Sequence, residues 1–189
     1  MEREEFQVYY QPQVNIQIGK IMSAEALIRW LHPEKGLISP AQFIPSAEAT
    51  GFIVQLGEWV LQTACRQIQV WQNAGFSGLR VAVNLSARQF HQPNLSSRVA
   101  QILAEIGLEP SSLELELTES LMVEDAPSAI ATLQQLKKLG VSISIDFRHW
   151  VFFFKLSGAI PLRYFKNRPL FYQQYHPWLH KCSDCESYY

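Results

Sequence analysis

Polar and apolar positions along the first three quarters of the chain fall into short, regular segments. Phe6 to Gln13 is rich in Tyr and Val and reads as a strand, and Ile21 to Trp30 is a second apolar stretch. Asn15 to Lys20 between them suits a turn. Ser39-Pro40 predicts a helix start, with Ser at the N-cap and Pro in the first turn, and Gly51 predicts its stop. Ile53 to Asn73 carries Val54, Leu61, Ile68 and Trp71 at helical spacing. Arg80 to Ser86 reads as a strand, Ser96 to Ile106 as a helix ended by Gly107, and Leu113 to Thr118 as a strand alternating Leu and Glu. Pro127 to Leu139 reads as a helix ended by Gly140, and Val141 to Asp146 as a further strand. The later order of strand, helix, strand, helix, strand predicts an α/β fold with a parallel sheet or barrel.

The pattern breaks at Asp146-Phe147. Arg148-His149-Trp150-Val151-Phe152-Phe153-Phe154 follows, and then an aromatic and basic tail without a clear period.

Composition narrows the reading. The chain has 189 residues, net charge −1 and 48% hydrophobic content, which suits one globular domain or part of a larger one. The near-neutral charge gives no case for a nucleic-acid polymer or anionic lipid as partner. No apolar run approaches the roughly 20 residues of a membrane span. The charged start, Met1-Glu2-Arg3-Glu4-Glu5, is not a secretory signal and reads like the end of a charged linker helix. Cys65 lies in a helical apolar pattern and is expected in the core. Cys182-x-x-Cys185, with His176 and His180 nearby, has metal or redox spacing, but a lone pair of this kind is a weak signal for zinc.

Glu25, Asn84, Glu116, Glu119 and Asp146 fall at or near the C-terminal ends of the expected strands. That rim is where α/β barrels build active sites. Carboxylate and amide oxygens there suit a hard divalent cation, which can clamp a phosphodiester and activate a water. The competing reading is that Glu114, Glu116 and Glu119 are solvated strand and loop charges.

The motifs decide between these. Tyr9-Tyr10-Gln11-Pro12, Ala24-Glu25-Ala26-Leu27-Ile28-Arg29-Trp30 and Phe43-Ile44-Pro45-Ser46-Ala47-Glu48 are followed by Val83-Asn84-Leu85-Ser86 and Leu115-Glu116-Leu117-Thr118-Glu119-Ser120. Each is weak alone, but in this order and at these separations the chain resembles the EAL-domain family of bacterial cyclic di-GMP phosphodiesterases, from about Glu4 to Phe147. The resemblance implies an incomplete TIM-like (β/α) barrel with about five strands. It implies a partial EAL domain over residues 4–147 and a non-matching, irregular, poorly ordered tail over 148–189. Glu25, Asn84, Glu116 and Asp146 then stand as metal ligands for Mg2+ or Mn2+, with Glu25 in the catalytic set. Glu119 stands in that set as the glutamate that holds the neighbouring loop. Gln11 and Arg29 stand as substrate contacts, since the arginine fork can donate two parallel hydrogen bonds to a phosphate or a guanine edge. Leu27 is expected at the pocket floor, and His32 and His91 on the surface or in loops.

The chain departs from the family at the fifth strand. Where the family has Asp-Asp-Phe-Gly-Thr-Gly, this chain has Asp146-Phe147-Arg148-His149-Trp150. The family's later lysine, glutamate and glutamine cannot be placed in the tail. A shifted reading frame accounts for this. Codons chosen within the degeneracy of the code for Arg148 to Tyr172 spell GTGFSSLSYLERFPLDILKIDRSF when read one base later, which includes the glycine loop and the Lys-Ile-Asp strand. Loss of two bases within the codons for Asp-Asp-Phe removes one Asp and creates the shift together. The rival reading is a divergent C-terminal extension.

The expected function is that of a cyclic di-GMP signalling protein whose family hydrolyses the dinucleotide to linear pGpG. This chain is expected to be truncated and inactive, and poorly soluble because closing strands would be absent. The alternative is a non-catalytic module that binds cyclic di-GMP or a protein. The resemblance further implies a cytoplasmic chain, an upstream GGDEF or sensory domain in a longer parent that can be membrane-attached, and a homodimer.

Overall fold

Asn15 turns the chain back on itself: its side-chain Oδ1 accepts the Gln17 amide at 3.0 Å and its carbonyl accepts the Gly19 amide at 2.8 Å. The result is an antiparallel hairpin of β1 (Phe6–Asn15) and β2 (Lys20–His32), with Phe6 opposite Trp30 and a register slip between Gln13 and Val14. The computed structural model describes residues 5–118 and 126–146. After β2 come β3 (Gly36–Ile38), α1 (Pro40–Thr50), α2 (Phe52–Asn73), β4 (Arg80–Leu85), α3 (Ala87–Phe90) and α4 (Leu95–Ile106). A single 3-10 turn, Pro110–Ser112, leads into β5 (Leu113–Thr118), followed by α5 (Ala126–Lys138) and β6 (Ser142–Asp146).

The sheet order is β1-β2-β4-β5-β6, with β3 beside the end of β2. β2, β4, β5 and β6 are mutually parallel, while β1 and β3 run antiparallel to β2. The parallel part was expected from the alternation of strands and helices, and each crossover carries a helix. Val81, Val83 and Leu85 of β4, Leu113, Leu115 and Leu117 of β5 and Ile143 of β6 share one face. They pack with Leu61, Cys65 and Ile68 of α2, Ile102 of α4 and Leu133 of α5. Cys65 is fully buried, as its pattern implied. A second cluster joins Phe43, Ile53 and Leu56 to Phe6 and Trp30, whose rings stack at 5.6 Å.

Helix boundaries follow the stop and start residues closely. Ser39 precedes α1, but its side chain makes no cap bond; its carbonyl accepts the Gln42 amide instead, at 2.9 Å. Gly51 adopts φ 82°, a left-handed conformation that costs glycine little, and closes α1 by donating its amide to Glu48. Arg88 of α3 covers the same helix end through the Glu48 and Ala49 carbonyls. The short elements β3, α3 and the 3-10 turn were not expected, because three or four residues span too little of a period to register. α3 nevertheless has a signature: Ser86 and Gln89 form a capping box.

Tyr10 packs its ring edge-on to Trp71 at 4.9 Å, and its hydroxyl is buried without a hydrogen-bond partner. Removing a buried hydroxyl that has no partner removes an uncompensated desolvation cost, so Tyr10→Phe should stabilise the domain by about 1 kcal/mol. A urea midpoint lower than that of the parent would show that the hydroxyl contributes after all.

Burial pushes the Tyr10 phenol up to about 12, with Cys65 adding to the effect, and pushes the Cys65 thiol up to about 12. Both folded values exceed the ordinary ones of 10.0 and 9.0, so the folded state holds these protons more tightly. Stability is therefore fully present below pH about 9 and should fall as pH climbs towards 12. The check is the denaturant midpoint across that range, where a flat profile from pH 8 to 11 would contradict the expected linkage.

Candidate active site

A strand covered by helices on one face sends every second side chain to the other. In β2, Ala26 joins the helix-covered core, so Ser23, Glu25, Leu27 and Arg29 project to the opposite face. Strand register then aligns their neighbours. Gln11 of β1 lies opposite Glu25, Glu25 opposite Ala82, Ala82 opposite Glu114 and Glu114 opposite Ser142. In the next row Asn84 lies opposite Glu116 and Glu116 opposite Ser144.

Three of the expected metal ligands thus meet on one face. The Asn84 side-chain amide donates to Glu25 Oε1 at 2.9 Å, and Glu116 is the register neighbour of Asn84. Glu25 is 7% exposed and Glu116 6%. The reading of Glu116 as a solvated strand charge is therefore wrong: strand alternation turns it inward while Leu115 and Leu117 take the helix side. The expected rim position also needs correction for Glu25. It sits in the middle of β2, because that strand runs on to His32 to pair with β1 and β3. It does lie near the end of Ser23–Ala26, the stretch that pairs with β4.

Asp146 ends β6 and pairs with Thr118 in register; its side chain lies outside the described part of the structure. Glu119 follows the last residue of β5 and lies outside the described residues, as do the tail from Phe147 onward and Cys182 and Cys185. Gln11 is exposed on β1. Arg29 is half-buried, donates from Nη1 to the Ile28 carbonyl at 2.9 Å, and places its guanidinium 5.7 Å from the centre of the Tyr9 ring.

Sequence reasoning missed Ser144, which is 3% exposed, faces Glu116 in register and has no hydrogen-bond partner for its hydroxyl. The alternation Ser142-Ile143-Ser144-Ile145-Asp146 was the signal that could have found it. His91 lies on the surface as expected, whereas His32 ends β2 half-buried, its ring 5.4 Å from that of Trp30. His32 accepts the Glu34 and Lys35 amides in a turn at 3.1 and 3.3 Å, and His91 is exposed beside the Ala87 carbonyl.

This donor set consists of two buried carboxylates and a carboxamide, all hard oxygen donors, on one face of the sheet. That chemistry fits a hard divalent cation. Among the described residues, no three His, Cys, Asp or Glu side chains converge on a metal-sized site, so the amide of Asn84 is needed to complete a triplet. Among the same residues, no helix is long and apolar enough to cross a membrane.

The EAL domain family matches residues 1–147. The bifunctional diguanylate cyclase/cyclic di-GMP phosphodiesterase MucR of Pseudomonas aeruginosa is 49% identical over 146 residues, covering 77% of this chain and 21% of MucR. The cyclic di-GMP phosphodiesterase PdeR of Escherichia coli is 40% identical over 146 residues, covering 77% of this chain and 22% of PdeR. The chain thus spans about a fifth of the length of these curated relatives. Among solved structures, the MucR phosphodiesterase in complex with c-di-GMP superposes with a TM-score of 0.82 at 44% identity, covering 87% of this chain and 67% of that one. The helix-backed sheet is part of the TIM-like barrel of such domains. Match, identity and fold agree over the segment that carries Glu25, Asn84 and Glu116, and the chain belongs to the EAL domain family.

Proposed function

We propose that the chain is part of a cyclic di-GMP phosphodiesterase domain that has kept one half of its metal site and lost the other. The observation that carries this reading is the cluster of Glu25, Asn84 and Glu116 on the sheet face opposite the helices. Glu25, Asn84 and Glu116 would hold Mg2+ or Mn2+, with Asp146 adding a fourth oxygen donor from the end of β6. Because the Asn84 nitrogen is committed to Glu25, its Oδ1 is the atom suited to a cation. When bound, such an ion lowers the pKa of a water and neutralises charge on a phosphodiester. Gln11 and Arg29, on the same face, would bind and orient the dinucleotide, and Glu119 would hold the loop after β5.

Two features of the sequence argue against turnover. A single Asp stands at the end of β6 where the family has two, and the tail supplies no Lys-Ile-Asp strand. A frameshifted tail over 148–189 accounts for both. Retained Gln11 and Arg29 favour a second reading, binding of cyclic di-GMP without hydrolysis. The diguanylate cyclase activity in the name of MucR, and its length beyond the matched segment, support a GGDEF domain in a longer parent; a cytoplasmic setting and a homodimer complete the proposal.

The test is to incubate the purified chain with cyclic di-GMP and magnesium or manganese, following pGpG by chromatography and binding by calorimetry. No product is expected. Metal-dependent pGpG formation would refute the loss of the second half-site, and binding without product would establish the second reading.

A further inference from the structure

Tyr9 lies opposite Leu27 on β1, on the face that carries Gln11 and Glu25. It belongs to neither core cluster and is 47% exposed. Arg29, two residues beyond Leu27 on the same face, is held at two points. Its guanidinium carbon is 5.7 Å from the centre of the Tyr9 ring, within range of a cation–π contact, and its Nη1 donates to the Ile28 carbonyl at 2.9 Å. An arginine side chain is long and flexible, and its value as a two-pronged donor depends on the plane being fixed. The ring limits where the guanidinium can move, and the carbonyl ties one of its nitrogens. The Nε and Nη2 donors remain as a planar fork that matches two phosphate oxygens.

We propose that Tyr9 is a positioning residue for Arg29, holding the guanidinium plane so that its remaining fork is presented to an anionic phosphodiester on the Glu25 face. The identity of that ligand as a cyclic dinucleotide rests on the phosphodiesterase reading above; the pairing of Tyr9 with Arg29 does not. The competing account, that Tyr9 serves only the strand preference of aromatic residues, predicts no effect on Arg29.

The experiment uses the full chain at micromolar concentration and measures phenylglyoxal modification of each arginine by peptide mass spectrometry. Tyr9→Leu should raise the Arg29 rate about two- to fivefold, the range set by an exposed cation–π contact. Tyr9→Phe keeps the ring and should match the parent. Arg66, which is exposed, and Arg98, which pairs with Glu58, serve as controls for the fold. Equal Arg29 rates in all three proteins overturn the proposal. If Tyr9→Leu raises the Arg98 rate as well, the strand has loosened, and Tyr9→Thr, a strong strand former, decides by the same comparison. Cyclic di-GMP is then added to the parent. Slower Arg29 modification, retained in Tyr9→Phe and reduced in Tyr9→Leu, supports both the pairing and its ligand. A Tyr9-dependent Arg29 rate that the nucleotide does not change leaves the pairing established and counts only against cyclic di-GMP as the ligand of this chain.

Discussion

Two bases inserted between the codons for Asp146 and Phe147 are expected to convert the chain, proposed to be inactive as it stands, into a magnesium- or manganese-dependent phosphodiesterase. If the tail is frameshifted as proposed, the insertion restores Asp-Asp-Phe-Gly-Thr-Gly and, downstream, the Lys-Ile-Asp strand, so one change returns a missing carboxylate, a glycine loop and a lysine together. Each acts on the same reacting centre. A second carboxylate beside Asp146 supports a second cation, and paired cations act as a clamp on the attacking and leaving oxygens. Groups that work as a unit lose nearly all their effect when one is absent. The gain in turnover should therefore be at least about a thousandfold. Glu25→Gln in the restored protein should abolish that gain while leaving the fold intact, because it removes a carboxylate charge but keeps an acceptor for Asn84. The measurement is pGpG formation by the two reading frames and the variant under identical metal concentrations. A restored protein as silent as the parent would sink both the frameshift and the assignment of the site.

The legibility of the chain varies with the length scale of each signal. The long helix over α2 and the alternation of β5 each span several periods, and their boundaries were read to within a residue or two. The donors Glu25, Asn84 and Glu116 were legible as motifs, but their convergence is a property of strand register, which no single segment encodes. Glu116 illustrates the gap: the alternation of Leu and Glu in β5 shows two faces but cannot say that the Glu face is the buried interior of a barrel sheet. Ser144 was missed for a similar reason: the alternation of Ser and Ile in β6 separates two faces but does not say that Ser144 has Glu116 as its register partner. The pairing of Tyr9 with Arg29 depends on side-chain rotamers in two strands, a further step away from sequence.

Gly57→Ala is expected to destabilise the domain although it replaces glycine by the best helix former. Gly57 lies inside α2, where Ala gains about 1 kcal/mol of helix propensity. A Cβ at that position, however, would lie 1.9 Å from Gln89 Nε2, 2.3 Å from its Cδ and 2.5 Å from its Oε1. Clash with all three atoms means that the whole amide must leave, not merely turn. Gln89 is buried, and its Oε1 accepts the Ser86 hydroxyl at 2.8 Å and the Ser86 amide at 3.3 Å. Displacing it breaks the capping box of α3, worth about 1 kcal/mol, and strands buried polar groups at about 1–3 kcal/mol. The steric and polar costs win, for a net loss of about 2 kcal/mol or more. At a few degrees per kcal/mol for a domain of this size, the melting temperature should fall by roughly 5 °C or more. The loss should also reach the site, because Ser86 follows Leu85 at the end of β4, two residues from the Asn84 that bonds Glu25. Manganese affinity, read by electron paramagnetic resonance, should weaken in the same variant. Gln89→Ala removes the obstacle, so the double variant should melt well above the sum of the two single losses. Strictly additive losses, or an unchanged midpoint for Gly57→Ala, would show that Gln89 does not hold the end of β4 in place.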